Sequence, residues 1–251
     1  MPIRIKSEEQ IRLMRAANKV VADTHKLLES LVKPGITTGE LDAIAEDNIR
    51  KAGAYPSFLG YGNPPFPAST CISVNEEVIH GIPGLRTLKE GDIVSIDIGA
   101  CLNGYHGDSA RTHPVGAVSQ EKKRLIDVTR NCFFAALEHV KAGHHLNEIG
   151  AAIEDLATAA GFSVVRDFVG HGVGRDLHEE PQIVHYRVPS RGPKLVPGMT
   201  LAVEPMINAG TWGIKVLQDN WTVVTRDGKC SAHYENTILV TDGAPEILTM
   251  Y

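Results

Sequence analysis

The sequence predicts an internally duplicated α+β fold, with a curved antiparallel sheet backed by helices, and two observations carry the prediction. First, the chain runs twice through the order helix, helix, strand and hairpin, over residues 7–115 and again over 119–240. Second, the two passes match in detail. Leu88-Lys89-Glu90-Gly91 leads to Asp97 six residues past its glycine, and Leu195-Val196-Pro197-Gly198 leads to Glu204 six past its own. Upstream, Val78-Ile79-His80-Gly81-Ile82-Pro83 echoes Val184-His185-Tyr186-Arg187-Val188-Pro189. Two units that each set a carboxylate at the same strand end imply a pseudo-twofold and one domain over 1–251, with helices on one face of the sheet.

The elements follow in order. Ser7 and Gln10 form a capping-box pattern. Ile11, Met14, Val20, Val21, Thr24, Leu27, Leu28 and Leu31 then recur at helical spacing until Lys33-Pro34-Gly35 ends the run. Thr37 with Glu40 opens a second helix carrying Leu41, Ile44, Ala45 and Ile49, and Gly53 stops it. Residues 55–67, rich in Gly, Pro and aromatics, read as a loop. Strands are expected over 71–74 and 93–98, a turn over 99–107, and a returning strand over 109–115. The second copy has helices over 119–140 and 146–160, the latter ended by Gly161, then strands over 162–166, 200–204, 222–226 and 234–240.

Composition narrows the function. The 251 residues are 43% hydrophobic and 22% charged, an ordinary globular balance. A net charge of −5 argues against nucleic acid as the main ligand, because phosphate binding needs a basic face. No run approaches the ~20 apolar residues that span a bilayer, and the opening MPIRIKSEEQ lacks the apolar core of a signal peptide. Cys71, Cys101, Cys132 and Cys230 form no C-x-x-C pair and read as reduced thiols of a cytoplasmic protein.

The chemistry lies in carboxylates inside apolar runs. Asp97 and Asp108 flank the predicted hairpin. Glu204 and Glu235 take comparable places in the second copy. A carboxylate inside a β run costs several kcal/mol unless it is paired or metal-bound, and four at pseudo-symmetric places ask for a shared cation. His171 sits among glycines in Gly170-His171-Gly172-Val173-Gly174, where the backbone can approach a ligand. Four carboxylates and an imidazole suit two hard or borderline divalent ions about 3.5–4 Å apart, with a shared water made acidic enough to act as a nucleophile. No phosphate loop and no Gly-x-Ser-x-Gly elbow competes with this reading.

The run from Ser73 to Pro83 (Ser-Val-Asn-Glu-Glu-Val-Ile-His-Gly-Ile-Pro) resembles the signature of type I methionine aminopeptidases. So do Asp97-Ile98-Gly99, Gly104-Tyr105-His106-Gly107-Asp108, Gly170-His171-Gly172-Val173-Gly174 with His178-Glu179-Glu180-Pro181, and Glu204-Pro205-Met206. The resemblance covers essentially the whole chain and implies the pita-bread fold. It also implies removal of the initiator methionine from nascent proteins whose second residue is small. It makes Asp97, Asp108, His171, Glu204 and Glu235 the ligands of two divalent ions (Co2+, Mn2+, Fe2+ or Zn2+), with Glu204 also shuttling the proton. His80 and His178 would place the substrate and stabilise the oxyanion. Tyr61, Phe66, Cys71, Leu177 and Trp221 would line a methionine pocket. A monovalent cation (Na+ or K+) would sit near Asn75 and Ser231. A monomer in transient contact with the ribosome is expected from the role.

The sequence departs from common members at Leu177, where an aromatic is frequent, at Asn236 and His233, and in a 60–66 loop that is a couple of residues longer. The absence of an N-terminal zinc-finger extension points to the short bacterial type. His25, His113, His139, His144, His145 and His185 read as solvated or structural, His106 as a turn residue, and Cys101, Cys132 and Cys230 as small apolar fillers. Two other readings stand beside this one. An Xaa-Pro peptidase of the same fold usually carries a large extra N-terminal domain. A metal-free binding module for ribosomes or RNA would have lost ligands, and all five are present.

Overall fold

A computed structural model describes residues 2–251 of the chain. The first copy comprises α1 (Glu8–Glu29), α2 (Thr38–Lys51), β1 (Tyr55–Pro56), β2 (Thr70–Val74), β3 (Glu77–Ile79), β4 (Ile93–Leu102) and β5 (Tyr105–Pro114). The second begins with α3 (Gln120–Leu137) and α4 (Asn147–Ala159), followed by β6 (Ser163–Val164), β7 (Gly170–Gly172), β8 (Glu179–Ile183) and β9 (Thr200–Val203). It ends with β10 (Met206–Asn208), β11 (Ile214–Val216), β12 (Val223–Thr225), β13 (Ser231–His233), β14 (Asn236–Leu239) and β15 (Glu246–Ile247). Both expected capping boxes form, at Ser7 with Gln10 and at Thr37 with Glu40, each contributing about 1 kcal/mol to its helix start.

The two copies are wired alike. Gly35 and Gly143 (φ 98° and 86°) donate their N–H groups to Leu88 O and Leu195 O, each at 2.9 Å. Leu88 and Leu195 donate in return to Ile36 O and His144 O. Gly91 and Gly198, with φ 88° and 87°, donate to Val115 O and Val240 O. A residue with a Cβ is strained at such φ, so glycine recurs at the same point of each copy. Each copy also has its own core. Val21, Leu28, Leu41 and Ile49 of α1 and α2 pack on Ile72, Ile96 and Ile98. Leu125, Phe133, Ile149 and Ile153 of α3 and α4 pack on Leu201, Val203 and Ile238.

β4 pairs antiparallel with β2 and β1 and with β5, and the five-stranded sheet of the second copy runs β15-β14-β9-β7-β8. The copies meet where Glu235 N–H donates to Ala110 O at 2.9 Å and His233 N–H to Thr112 Oγ1 at 2.9 Å.

Some boundaries differ from expectation, each for a local reason. The hairpin strands run ten residues each, and the turn is Asn103-Gly104 (φ 53° and 76°) rather than 99–107. Asn-Gly suits a two-residue turn with both central φ positive. His106 therefore lies in β5, opposite Cys101, with Nδ1 2.8 Å from Ser57 Oγ, and is not a turn residue. The run over 234–240 breaks at Tyr234-Glu235, because the chain leaves β13, paired with β10, and joins β9 through β14. Residues 55–67 contain β1, and β7 and β8 were not anticipated, their glycines and prolines masking short strands.

Candidate metal centre and substrate cavity

Strand alternation collects the acidic residues. In the β4–β5 ladder Asp97 faces Ala110, so Asp108, two residues before Ala110, shares the face of Asp97. In the second sheet His171 faces Ala202, and Glu204 lies two residues beyond Ala202 on the same face. Glu235 joins the two sets through its backbone bond to Ala110. One ligand atom each of Asp108, His171 and Glu235 lie within 4.8 Å of one another. His171 Nε2 stands 3.4 Å from Glu204 Oε1 and 3.8 Å from Asp108 Oδ2. The imidazole Nδ1 lies 2.9 Å from Gly172 O. An N–H donated there fixes the tautomer and turns the Nε2 lone pair toward the carboxylates.

Burial sets the electrostatics. It pushes the Asp97 carboxyl up to about 7 and raises Asp108, Glu204 and Glu235 well above the carboxylate range, with the neighbouring acids adding to the rise in those three. Burial lowers His171 to about 3 and His80 to about 4, so both are neutral at pH 7. Oδ1 of Asp97, Oδ1 of Asp108 and Oε1 of Glu235 are buried and accept no hydrogen bond. Crowded acids with orphaned oxygens, beside an imidazole offering a lone pair, are the donor set of hard or borderline divalent ions. The residues present fit such ions.

These five residues line a cavity, open to solvent, whose walls also include His80, His178, Tyr61, Phe66, Cys71, Leu177 and Trp221. Every residue singled out from sequence for the metals or the pocket lies on it. Phe66, Cys71 and Leu177 are buried, and Trp221 meets Phe66 edge-to-face at 5.2 Å. Burial pushes the Cys71 thiol well up, so it is a wall and not a nucleophile. Tyr61 is 41% exposed, and its hydroxyl lies 2.6 Å from His178 Nδ1. His80 holds φ +57°, uncommon for a side chain, and a Cβ on the following Gly81 would collide with Ile72 O.

Sequence reasoning missed Phe58, Ile79, Phe168 and Val169 on this cavity. Ile79 adjoins His80, and Phe168-Val169 lead directly into Gly170-His171, so adjacency was a usable signal for three of the four. Phe58 gave none. Two histidines also stand nearer than expected: His233 Nε2 is 3.8 Å from Glu204 Oε2, and His185 Nε2 accepts the Glu204 N–H at 3.4 Å. At the other expected cation position, Ser231 N–H donates to Asn75 O at 2.8 Å, and the Lys122 ammonium donates to Asn75 Oδ1 and Gly91 O. The four cysteines are free thiols. Among the described residues no helix is long and apolar enough to cross a membrane.

A duplicated antiparallel scaffold with buried acids and apolar side chains lining one cavity defines a metallopeptidase. Residues 12–242 match the metallopeptidase family M24. Methionine aminopeptidase 1 of Bacillus subtilis (strain 168) is 55% identical over 244 residues, 97% of this chain and 98% of the relative. The crystal structure of the methionine aminopeptidase from Thermotoga maritima superposes with a TM-score of 0.97 at 43% identity, covering all of both chains. The prolidase from Pyrococcus furiosus shares the fold at a TM-score of 0.79 and 23% identity, with 98% of this chain covering 65% of that one. The chain belongs to metallopeptidase family M24, in the pita-bread fold, and within it to the methionine aminopeptidases. Use of divalent metal goes with that family.

Proposed function

We propose that the chain is a dinuclear aminopeptidase, one catalytic unit over 1–251, that releases the initiator methionine from nascent proteins whose second residue is small. The observation that carries the reading is one cavity lined both by Asp97, Asp108, His171, Glu204 and Glu235 and by the apolar side chains Phe66, Cys71, Leu177 and Trp221. Asp97, Asp108, His171, Glu204 and Glu235 would hold two ions from the set Co2+, Mn2+, Fe2+ and Zn2+. When bound, such ions polarise the scissile carbonyl and lower the pKa of a shared water.

The remaining roles belong to the chain itself. Glu204, on the cavity wall with its two carboxylate oxygens 3.4 Å from His171 Nε2 and 3.8 Å from His233 Nε2, would take a proton from the water and hand it to the leaving amine. His80 and His178, both lowered by burial, stay neutral and act as hydrogen-bond donors to the developing oxyanion. A Tyr61 hydroxyl donating to His178 Nδ1 leaves Nε2–H as the donor that faces the substrate. Phe66, Cys71, Leu177 and Trp221, with Tyr61 at the rim, would enclose the methionine side chain, whose thioether is polarisable and favours aromatic contacts. A monovalent cation, Na+ or K+, at the Asn75–Ser231 junction would have to displace the Lys122 ammonium, which already holds Asn75 Oδ1. The enzyme would act as a cytoplasmic monomer in transient contact with the ribosome.

The test uses chelator-stripped protein with each of the four metals restored, assayed on Met-Ala-Ser, Met-Leu-Ser and Leu-Pro-Ala, alongside Asp97→Ala and Glu204→Ala. Metal-dependent cleavage of Met-Ala-Ser alone, lost in both variants, is the expected result. Cleavage of Leu-Pro-Ala would move the reading to a proline-specific peptidase. Folded protein inert with every metal would refute it.

A further inference from the structure

The two copies differ at one junction that the hydrolytic reaction does not use. In each copy the first helix ends, a glycine reverses the chain, and the second helix begins. The 108-residue step that relates Gly35 to Gly143 also relates Leu31, Ile36 and Glu40 to His139, His144 and Glu148. In the first copy Leu31 and Ile36 pack against the core, and Glu40 accepts from the Thr37 amide and hydroxyl. The second copy replaces both aliphatic side chains with imidazoles while keeping the carboxylate.

One donor atom of each of His139, His144 and Glu148 lies within 4.8 Å of the others. Glu148 Oε2 stands 2.9 Å from His144 Nδ1 and 3.8 Å from His139 Nδ1. Two ligands of a tetrahedral ion, each bonded at 2.0–2.1 Å, lie about 3.3 Å apart, between these two values. An ion pair of His144 with Glu148 would explain only the shorter contact. It leaves His139 Nδ1 buried, turned to the same carboxylate and without a hydrogen bond. The two rings are tilted by 68° with centroids 6.0 Å apart, an edge-to-face arrangement and not a stack. Main-chain bonds fix the donors: His139 N–H donates to Ala136 O, Leu195 N–H to His144 O, and Glu148 N–H to His145 O. Arg191 lies 3.5 Å from the other carboxylate oxygen, Oε1, and leaves Oε2 toward the rings.

We propose that His139, His144 and Glu148 form a further metal site, separate from the hydrolytic centre, that takes one borderline divalent ion of the Zn(II) class. Two imidazoles and a carboxylate select such an ion over Mg2+ or Ca2+, with the fourth position left to water. The ion would clasp the end of α3 to the start of α4. Side-chain exposures of 40%, 41% and 32% keep it in exchange with solvent.

The experiment dialyses chelator-stripped protein against Zn(II) and counts metal per chain by mass spectrometry. His139→Ala/His144→Ala and Glu148→Gln should each bind one equivalent fewer than the wild type and keep its kcat/KM on Met-Ala-Ser. A third variant, His139→Leu/His144→Ile, carries the first copy's side chains, so the junction stays packed while the donors are gone. It too should lose one equivalent. The same zinc content in that folded variant as in the wild type would overturn the proposal.

Discussion

Ala110 and Glu235 exchange backbone hydrogen bonds, Glu235 N–H to Ala110 O at 2.9 Å and Ala110 N–H to Glu235 O at 3.4 Å. Ala110 also faces Asp97 across the β4–β5 ladder. The pair is the seam along which acids of the two copies come together, and it brings Asp97 and Glu235, 138 positions apart in sequence, onto one cavity.

Ala110 itself is fully buried, with its methyl on the face of Asp97 and Asp108. Ala110→Leu should drive a branched side chain into the acids. Overpacking there would destabilise the fold by about 1–3 kcal/mol, and metal affinity should fall by about 10–100-fold, as it does when ligand-supporting groups are disturbed. Titration of chelated protein with Co2+, together with a thermal melt, reads both. Wild-type affinity in a folded Ala110→Leu protein would show that the methyl does not face the metals.

Chelation should make stability depend on pH in a defined direction. Asp97 is raised to about 7, and Asp108, Glu204 and Glu235 are raised as well. The metal-free folded state therefore binds more protons than the unfolded chain. Its stability is fully present below the ordinary carboxylate range and is lost as pH rises through the folded values. The buried histidines His25, His80, His113, His171, His185 and His233, all lowered by burial, act in the opposite sense until pH passes their ordinary value near 6.5. The Tm of chelated protein should therefore fall above that, between about pH 7 and 8.5. In metal-loaded protein the same acids are held ionised, so that fall should be absent. A Tm of chelated protein that rises over this window would contradict the burial of the acids.

Much of this centre was legible because its logic is local. Asp97 and Asp108 stand in strands and Glu204 and Glu235 directly beside strand ends, and the Gly91 and Gly198 turns mark the duplication. The seam was not legible, since nothing near Ala110 names Glu235 as a partner. The break at Tyr234-Glu235 was also hidden. Residues 234–240 read as one strand, but only Asn236–Leu239 pairs with β9, because Tyr234-Glu235 carry the chain over from β13, which pairs with β10. His106 falls in β5 for a simpler reason: Asn103-Gly104 closes a two-residue turn, so both hairpin strands extend into the expected 99–107 turn.

Tyr61 lies on the 60–66 loop, and its hydroxyl holds His178 Nδ1 at 2.6 Å. Tyr61→Phe keeps the ring and removes that bond. A hydrogen bond of about 0.5–1.5 kcal/mol corresponds to a fall in kcat/KM of roughly 2–12-fold, with Tm unchanged because the site is exposed. The loss should appear mainly in kcat if His178 acts on the oxyanion, and mainly in KM if it only seats the substrate. Unchanged kinetics would remove Tyr61 from the site's machinery.

The N-terminal segment pins the strand that carries His171. Lys6 Nζ donates to Glu179 Oε2 at 2.7 Å, with side-chain exposures of 4% and 3%, and Glu179 pairs with Gly172 across β7 and β8. Glu179 Oε1 accepts from Arg4 at 3.0 Å and from the Arg175 amide at 2.9 Å. Lys6→Met keeps the length of the side chain and strands a buried carboxylate, which costs about 3–5 kcal/mol. Arg4 and the amide retain part of the compensation, so the lower end of that range is expected, a fall in Tm of roughly 6–12 °C for a chain of this size. Lys6→Met/Glu179→Gln removes the stranded charge as well and should recover part of the loss. Chemical denaturation of the two variants and of Glu179→Gln alone completes the cycle. A Lys6→Met cost below about 1 kcal/mol, the range of exposed pairs, would mean that the pair is hydrated in solution and does not anchor the His171 strand.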